Sequence, residues 1–478
     1  MLAIDQGTTS TRALLVDEHG ETRTLLALPH RQIYPRPGWV EHDPEELLAN
    51  LRACLIAAGG MPDFGAVGLD NQGESCLAWD SETGRAVSPV LVWQDDRTAD
   101  RVEALRADGV EDEARERSGL PLDPYFSASK LAWILREIPE AARLHARGRL
   151  RLGTTDAFFL DRLMGRFETD VTTASRTALM NLERCEWDEE LCRIFGVPLD
   201  CLPRIVPTTG DFGALSCGGR LVPLTASVVD QQASLYGHGC RAAGDGKITF
   251  GTGAFALVVT GHELRRPKPG PLPTVAWRKA GEKPTYAFDG GVYCASAAVN
   301  WARELKLFGD FSEIEDFPAR PPAIARGLVF VPALAGLACP HWDRRARGAW
   351  LGLGLDSTPA DLMQALLEGV ALRMAEVVAG MAELQALRDP ISVDGGMAAN
   401  IYFCQFLADV LGRELIVSAE PELTAVGAAA LAAEAAGRPI MLRRKGRRVL
   451  PREDAREHLA AFRAAREAVQ AFGQTRRF

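Results

Sequence analysis

The chain has 478 residues, 47% of them hydrophobic and 24% charged, which excludes a mainly disordered protein. That length gives material for roughly two to four domains with large cores. The formal net charge of −9 argues against a general polyanion binder such as a nucleic-acid protein, and leaves room for a local cationic pocket around a small phosphate ligand.

No run approaches the ~20 apolar residues of a bilayer span. The opening MLAIDQGTTS has no basic region and no long apolar region, so a secretory signal is not expected and a cytoplasmic location is. The ten cysteines are dispersed and form no C-x-x-C pair, which fits reduced thiols better than zinc ligands or a disulfide framework.

In chain order, Leu2–Ile4 and Ala13–Val16 read as strands around a Gly/Thr turn. Pro44–Ala57 reads as a helix capped by Asp43, and Ala66–Leu69 as a buried strand. Leu77–Trp79 and Val90–Trp93 bracket a turn at 80–84. Ser129–Ile138 reads as a helix with Pro139 just past its end. Arg265–Pro273 is a Gly/Pro-rich surface loop candidate. Asp361–Leu384 has sustained helical periodicity, Ile391–Val393 is a short strand entering Gly395-Gly396, Asn400–Leu411 is helical, and Thr424–Ala436 is an Ala-rich helix able to pack closely. This alternation is an α/β pattern. LAIDQGTTSTRALLVDEHG and KITFGTGAFALVVTGHE share a strand, Gly-Thr turn, strand order, a weak repeat that predicts two related domains, at 1–240 and 241–478.

Five segments carry candidate chemistry. Asp5-Gln6-Gly7-Thr8-Thr9-Ser10-Thr11-Arg12 places a carboxylate and hydroxyls at a tight turn, which suits a phosphate cradle with Mg²⁺ and equally suits an ordinary hairpin. Gly251-Thr252-Gly253 is a second such turn, and no G-x-x-x-x-G-K-[ST] loop is present. Asp230, after an apolar run, stands where a carboxylate can accept an alcohol's proton, and also where a helix N-cap is common. Asn71-Gln72-Gly73-Glu74 suits hydroxyl recognition, and Trp93, Tyr125, Phe255 and Trp301 could wall a sugar or polyol or pack a core. Asp394-Gly395-Gly396 with Asn400 suits close approach of an adenine or a plain turn. The basic run at 443–448 reads as a solvated loop, and His341 as structural or pocket-lining.

Taken in order, DQGTTSTR (5–12), IYPRPGWVEHDPEE (33–46), GLDNQGES (68–75), VWQDDRT (92–98), DPYFSASK (123–130), GTTDAFFL (153–160), TTASRTALMNL (172–182), VDQQASLYG (229–237), FGTGAF (250–255), PHWDRRARGAWLGL (340–353), VDGGMAANIYFCQFLADVLG (393–412) and ELTAVGAAALA (422–432) resemble the FGGY carbohydrate kinases, and within them the glycerol kinases. The resemblance implies two ribonuclease-H-like domains of actin/hexokinase type around a cleft. It implies ATP-dependent phosphorylation of a small polyol or sugar, glycerol foremost, and a homodimer or homotetramer. Carried over by motif, Asp230 is the general base and Asp5 helps hold Mg²⁺. Thr8, Thr9, Ser10, Arg12 and Thr252 lie near the phosphates, and Ser296, Asn300, Gly396 and Asn400 line the adenosine site. Glu74, Trp93, Tyr125, Asp230, Gln231 and Phe255 form the polyol site.

The chain departs from the resemblance in places. Ser296 and Asn300 stand where Gly and Gln are usual, and Gly73 stands where glycerol kinases carry Arg. Losing that guanidinium removes a fork of N–H donors. The vacated space is expected either to leave glycerol bound more weakly or to admit a longer polyol or a ketose. The loop at 216–220 is short, so no sugar-bisphosphate control site is expected there. The first strand is short at its amino end, as it would be with a start codon placed too far downstream.

Overall fold

The computed structural model describes residues 1–61, 64–268, 270–317 and 320–475. Its first sheet holds β1 (Leu2–Gln6), β2 (Ser10–Val16), β3 (Thr22–Pro29), β4 (Val67–Asn71), β5 (Ala214–Cys217) and β6 (Arg220–Val229), in the order β5-β6-β4-β1-β2-β3. β1, β2 and β3 are antiparallel neighbours, whereas β4 runs parallel to β1 and β6 parallel to β4. Every residue of β1 and β4 is buried, as central strands covered on both faces must be.

The second sheet repeats this wiring. It holds β7 (Gly246–Phe250), β8 (Ala254–Gly261), β9 (Leu272–Trp277), β10 (Thr285–Val292), β11 (Ile391–Asp394), β12 (Leu415–Ser418) and β13 (Gly446–Val449), ordered β9-β10-β8-β7-β11-β12-β13. β7 pairs antiparallel with β8 and parallel with β11, as β1 does with β2 and β4. The two segments that read as a repeat are therefore the first hairpin of each sheet. A four-stranded sheet, of Glu41–His42, Cys76–Asp80, Val90–Leu91 and Leu150–Thr154, extends the first half and carries the loops bearing Trp93 and Tyr125.

Two helices join the halves. α1 (Asp230–Gly237) leaves the end of β6, and α2 (Leu423–Ala435) crosses it and packs on β1, β4 and β6. Their contact is backbone to backbone, since a Cβ on Gly427 would fall 1.7 Å from the Ala233 carbonyl oxygen and one on Gly237 would fall 1.9 Å from that of Leu423. The Ala-rich composition of α2 thus serves close packing, and a helix from late in the chain completes the first sheet's cover.

Other elements follow the expectations within a residue or two. Asp43 caps Pro44–Ala58 by accepting the Glu45 N–H at 2.9 Å. Pro139 does not merely end a helix. It opens a new one, Pro139–Ala146, because a first-turn proline gives up no hydrogen bond. The Gly/Pro-rich loop yields to β9 at Leu272, and its Pro269 lies outside the described residues. The basic run is not a free loop: it enters edge strand β13, where Arg448 pairs with Glu414 at 3.1 Å. All ten cysteines are buried and unbridged. Among the described residues no helix is long and apolar enough to cross a membrane.

Candidate active site

Three carboxylates collect where parallel strands of the first sheet end. Asp5 in β1 is registered against Asp70 in β4, Asp70 is registered against Val228 in β6, and Asp230 follows one residue beyond β6. Asp5 pairs with Arg12, whose guanidinium also reaches Glu422 at 2.5 Å. Arg12 is thus occupied by two carboxylates. Asp70 is fully buried, and neither of its oxygens meets a donor among the described residues. Burial, then the neighbouring Asp5 and Asp230 charges, hold its pKa well above the ordinary range. A buried carboxylate without donors, set beside two more, is the chemistry of a site for a hard cation, and Mg²⁺ fits.

Above them lies a cavity of about 160 Å³. Thr8, Gly73, Glu74, Trp93, Tyr125, Asp230 and Gln231 line it from the first half, and Thr249, Gly251, Thr252, Gly253 and Phe255 from the second. The Trp93 indole donates to Thr8 Oγ1 at 3.0 Å and meets the Tyr125 ring edge-on at 5.7 Å. Tyr125 is held from behind by the buried Lys130 ammonium, which donates to its carbonyl at 2.8 Å. Glu74 adopts φ 57°, a left-handed conformation unusual for a side chain of its size, and such strain gathers at functional sites. Its carboxylate accepts from Arg176 Nε at 2.7 Å.

Asp230 is the first residue of α1, with Val229 at the cap position, so it is not the helix's N-cap. Among the described residues its carboxylate accepts only the Gln231 N–H, at 2.7 Å. Burial foremost, then the Glu74 charge, pushes its pKa up to about 7. Gln231 is fixed by Lys247, a buried ammonium that donates to Gln231 Oε1 at 2.7 Å and Thr249 Oγ1 at 2.9 Å.

The Gly251-Thr252-Gly253 turn is bound to the start of helix α3 (Ser296–Glu304). The Ser296 N–H donates to Gly251 O at 3.1 Å, and the Ala295 N–H to Thr252 O at 2.9 Å. Beyond it lies a cavity of about 460 Å³ lined by Ser296, Asn300, Gly396 and Asn400 together with Phe311, Met397 and Leu367. Gly395 makes the turn there at φ 91°, where a Cβ would strike the Phe250 carbonyl oxygen at 2.3 Å. Asn400 caps the following helix and donates to Ile314 O at 2.7 Å, so its amide shapes the wall.

Of the predicted residues, nine converge on the smaller cavity, namely Thr8, Gly73, Glu74, Trp93, Tyr125, Asp230, Gln231, Thr252 and Phe255, and the four adenosine candidates share the larger one. Thr9 is exposed, and neither it nor Ser10 or Arg12 lines the smaller cavity. Trp301 stacks on Trp350 at 5.6 Å in the core of the second half, away from the acceptor cavity. The space beside Gly73 is not vacant: a Cβ there would lie 2.7 Å from Val229 Cγ2. Asp70, Arg176, Lys247 and Asp289 were not singled out from sequence. The available signal was a charged residue inside an otherwise apolar or hydroxyl-rich run, as in GLDN and TASRTAL.

Two family models match the chain. The N-terminal domain of the FGGY family of carbohydrate kinases covers residues 1–237, and the C-terminal domain of that family covers residues 246–436. The glycerol kinase of Thermus brockianus is 43% identical, over 98% of each chain. The crystal structure of Plasmodium falciparum glycerol kinase with ADP superposes with a TM-score of 0.88 at 29% identity, covering 98% of this chain and 97% of that one. A xylulose kinase from Rhodospirillum rubrum superposes with a TM-score of 0.85 at 24% identity over 99% of each chain, which is likeness of fold alone.

Proposed function

Because the chain belongs to the FGGY family of carbohydrate kinases, we propose that it transfers the γ-phosphoryl group of ATP to glycerol, giving glycerol 3-phosphate. The observation that carries the reading is Asp230. A carboxylate with its pKa pushed up to about 7 stands in one small cavity with the Glu74 acceptor, two aromatic walls and a Gly-Thr-Gly turn from the opposite half.

A base poised near the working pH accepts a proton most usefully. Asp230 takes the proton of the attacking hydroxyl, and Lys247 keeps the adjoining Gln231 in place. Glu74, steadied by Arg176, accepts a hydrogen bond from another hydroxyl and sets which end of the polyol faces Asp230. Trp93 and Phe255 cover the carbon backbone. The Gly251-Thr252-Gly253 turn offers N–H groups and a hydroxyl to the phosphates, with Thr8 opposite, while Ser296, Asn300, Gly396 and Asn400 surround the adenosine. Asp5, with Asp70 beside it, would hold Mg²⁺, and the cation when bound offsets negative charge on the transferring group. Walls drawn from both halves let closure exclude water, which limits idle ATP hydrolysis.

A longer polyol or ketose is the competing acceptor. The feature favouring it, the missing side chain at 73, is weakened by Val229 filling the adjoining space. ADP release with Mg·ATP against glycerol, dihydroxyacetone, erythritol, xylitol, ribitol, D-xylulose and D-ribulose decides between them. Glycerol leading by at least about tenfold in kcat/KM is expected, and a pentitol or ketose ahead overturns the glycerol reading. Ten unbridged buried thiols suit the cytoplasm. A homodimer or homotetramer, the assembly implied by the resemblance, is read from the mass by light scattering.

A further inference from the structure

Tyr125 and Phe255, which line the acceptor cavity, also line a second chamber of about 20 Å³, together with Arg176, Asp289, Tyr293 and Trp342. That volume holds about one oxygen atom with its hydrogen-bonding partners.

The chamber is lined by polar groups whose valences are incomplete. Arg176 is nearly fully buried between two carboxylates, with Nε on Glu74 Oε1 at 2.7 Å and Nη2 on Asp289 Oδ2 at 2.9 Å. Its Nη1 is buried with no partner among the described residues. The same holds for Asp289 Oδ1, Tyr293 Oη and Trp342 Nε1. Four such groups around one small space are costly to leave unmade. Two are N–H donors, one is a carboxylate acceptor, and one is a phenol hydroxyl that can do either. A hydroxyl group, which accepts twice and donates once, is the complement of the two donors and the carboxylate.

We propose that this chamber recognises the hydroxyl of the polyol most distant from the one phosphorylated, with Arg176, Trp342 and Asp289 as its three partners. The inference rests on the polyol-kinase reading above. It makes these residues determinants of acceptor specificity, and it assigns Arg176 a guanidinium role within a pocket where position 73 has none. Because Arg176 also grips Glu74, occupancy of the chamber and orientation of the hydroxyl bonded to Glu74 are coupled through one rigid fork.

The test compares glycerol with propane-1,2-diol, which lacks one terminal hydroxyl. The wild-type enzyme should favour glycerol by about 10²-fold or more in kcat/KM, because a site built to bond a hydroxyl is left unpaired without it. Trp342→Phe removes one N–H with little change of shape, and Asp289→Asn removes the charged acceptor. Each should raise KM for glycerol by about tenfold, leave that for propane-1,2-diol within about twofold, and so compress the ratio. Arg176→Lys should compress it further. Equal losses on both substrates would assign the chamber to a structural water and overturn the inference. Because Arg176→Lys leaves buried acids poorly paired and can fail to fold, Trp342→Phe and Asp289→Asn carry the decision. A wild type inactive on every polyol would overturn the kinase reading itself, and this inference with it. An active wild type with an unchanged ratio in the variants overturns this inference alone.

Discussion

Gly73→Ala, made alone and with Val229→Ala, tests whether the departure at position 73 is coupled to its neighbour. The added Cβ would fall 2.7 Å from Val229 Cγ2, about 1 Å inside the 3.5–4.0 Å optimum for two carbons. Val229 cannot readily retreat. Its backbone N–H is tied to Thr172 Oγ1 at 3.0 Å, and its β-branched side chain has few rotamers. Overpacking of this kind costs about 1–3 kcal/mol. Val229→Ala removes both methyl carbons and so the clash, at the separate cost of a small cavity. The double-mutant cycle, read by urea unfolding, should therefore show a favourable coupling of at least about 1 kcal/mol. The same logic governs Gly73→Arg, whose guanidinium should not improve glycerol turnover until Val229 is shortened. A neutral Gly73→Ala, or simple additivity with Val229→Ala, would refute the steric argument and reopen position 73 as free space for a larger acceptor.

Three further outcomes are expected. Asp230→Asn should fold yet lose at least about 10²-fold in kcat, and wild-type kcat/KM should rise with pH through a pKa near 7 as this carboxyl ionises; near-normal turnover of the variant would remove Asp230 as the base. Asp70→Asn should raise both the melting temperature of the metal-free protein, by discharging a crowded buried carboxylate, and the Mg²⁺ concentration for half-maximal activity; unchanged Mg²⁺ dependence would detach Asp70 from the cation site. His42 is buried and neutral between Gln32 Oε1 at 2.9 Å and Gln72 Nε2 at 3.3 Å, with its pKa lowered to about 3 mainly by burial. Below 6.5 the unfolded chain binds a proton that the native chain does not, so stability should fall with pH between 6.5 and about 3, by up to about 1.4 kcal/mol per unit, and His42→Gln should flatten that slope in acid unfolding.

The strands and helices around the site were legible because their signals are local. A carboxylate or a Gly-Thr turn at the end of an apolar run marks a strand terminus, and it did so at Asp5, Asp230 and Gly251. What was not legible depends on pairing between distant segments. Nothing near Arg176 shows that its fork closes on Glu74 and Asp289, residues about 100 positions away on either side. Trp301 failed for the opposite reason. An aromatic residue beside a predicted binding motif suits a pocket wall and a core equally, and only the fold sends it onto Trp350.

Asp70 is the instructive case, since it lies inside a motif and was still passed over. In sequence it is one polar residue in a buried strand. In the sheet, parallel pairing sets it beside Asp5, and the strand on its other side delivers Asp230. Such crowding of like charges opposes folding, and no donor among the described residues relieves Asp70. A cation held there would offset the cost, which would link metal affinity to native stability through this one carboxyl. The same reasoning accounts for Arg12, turned toward Asp5 and Glu422: among the described residues it is the one guanidinium paired with Asp5.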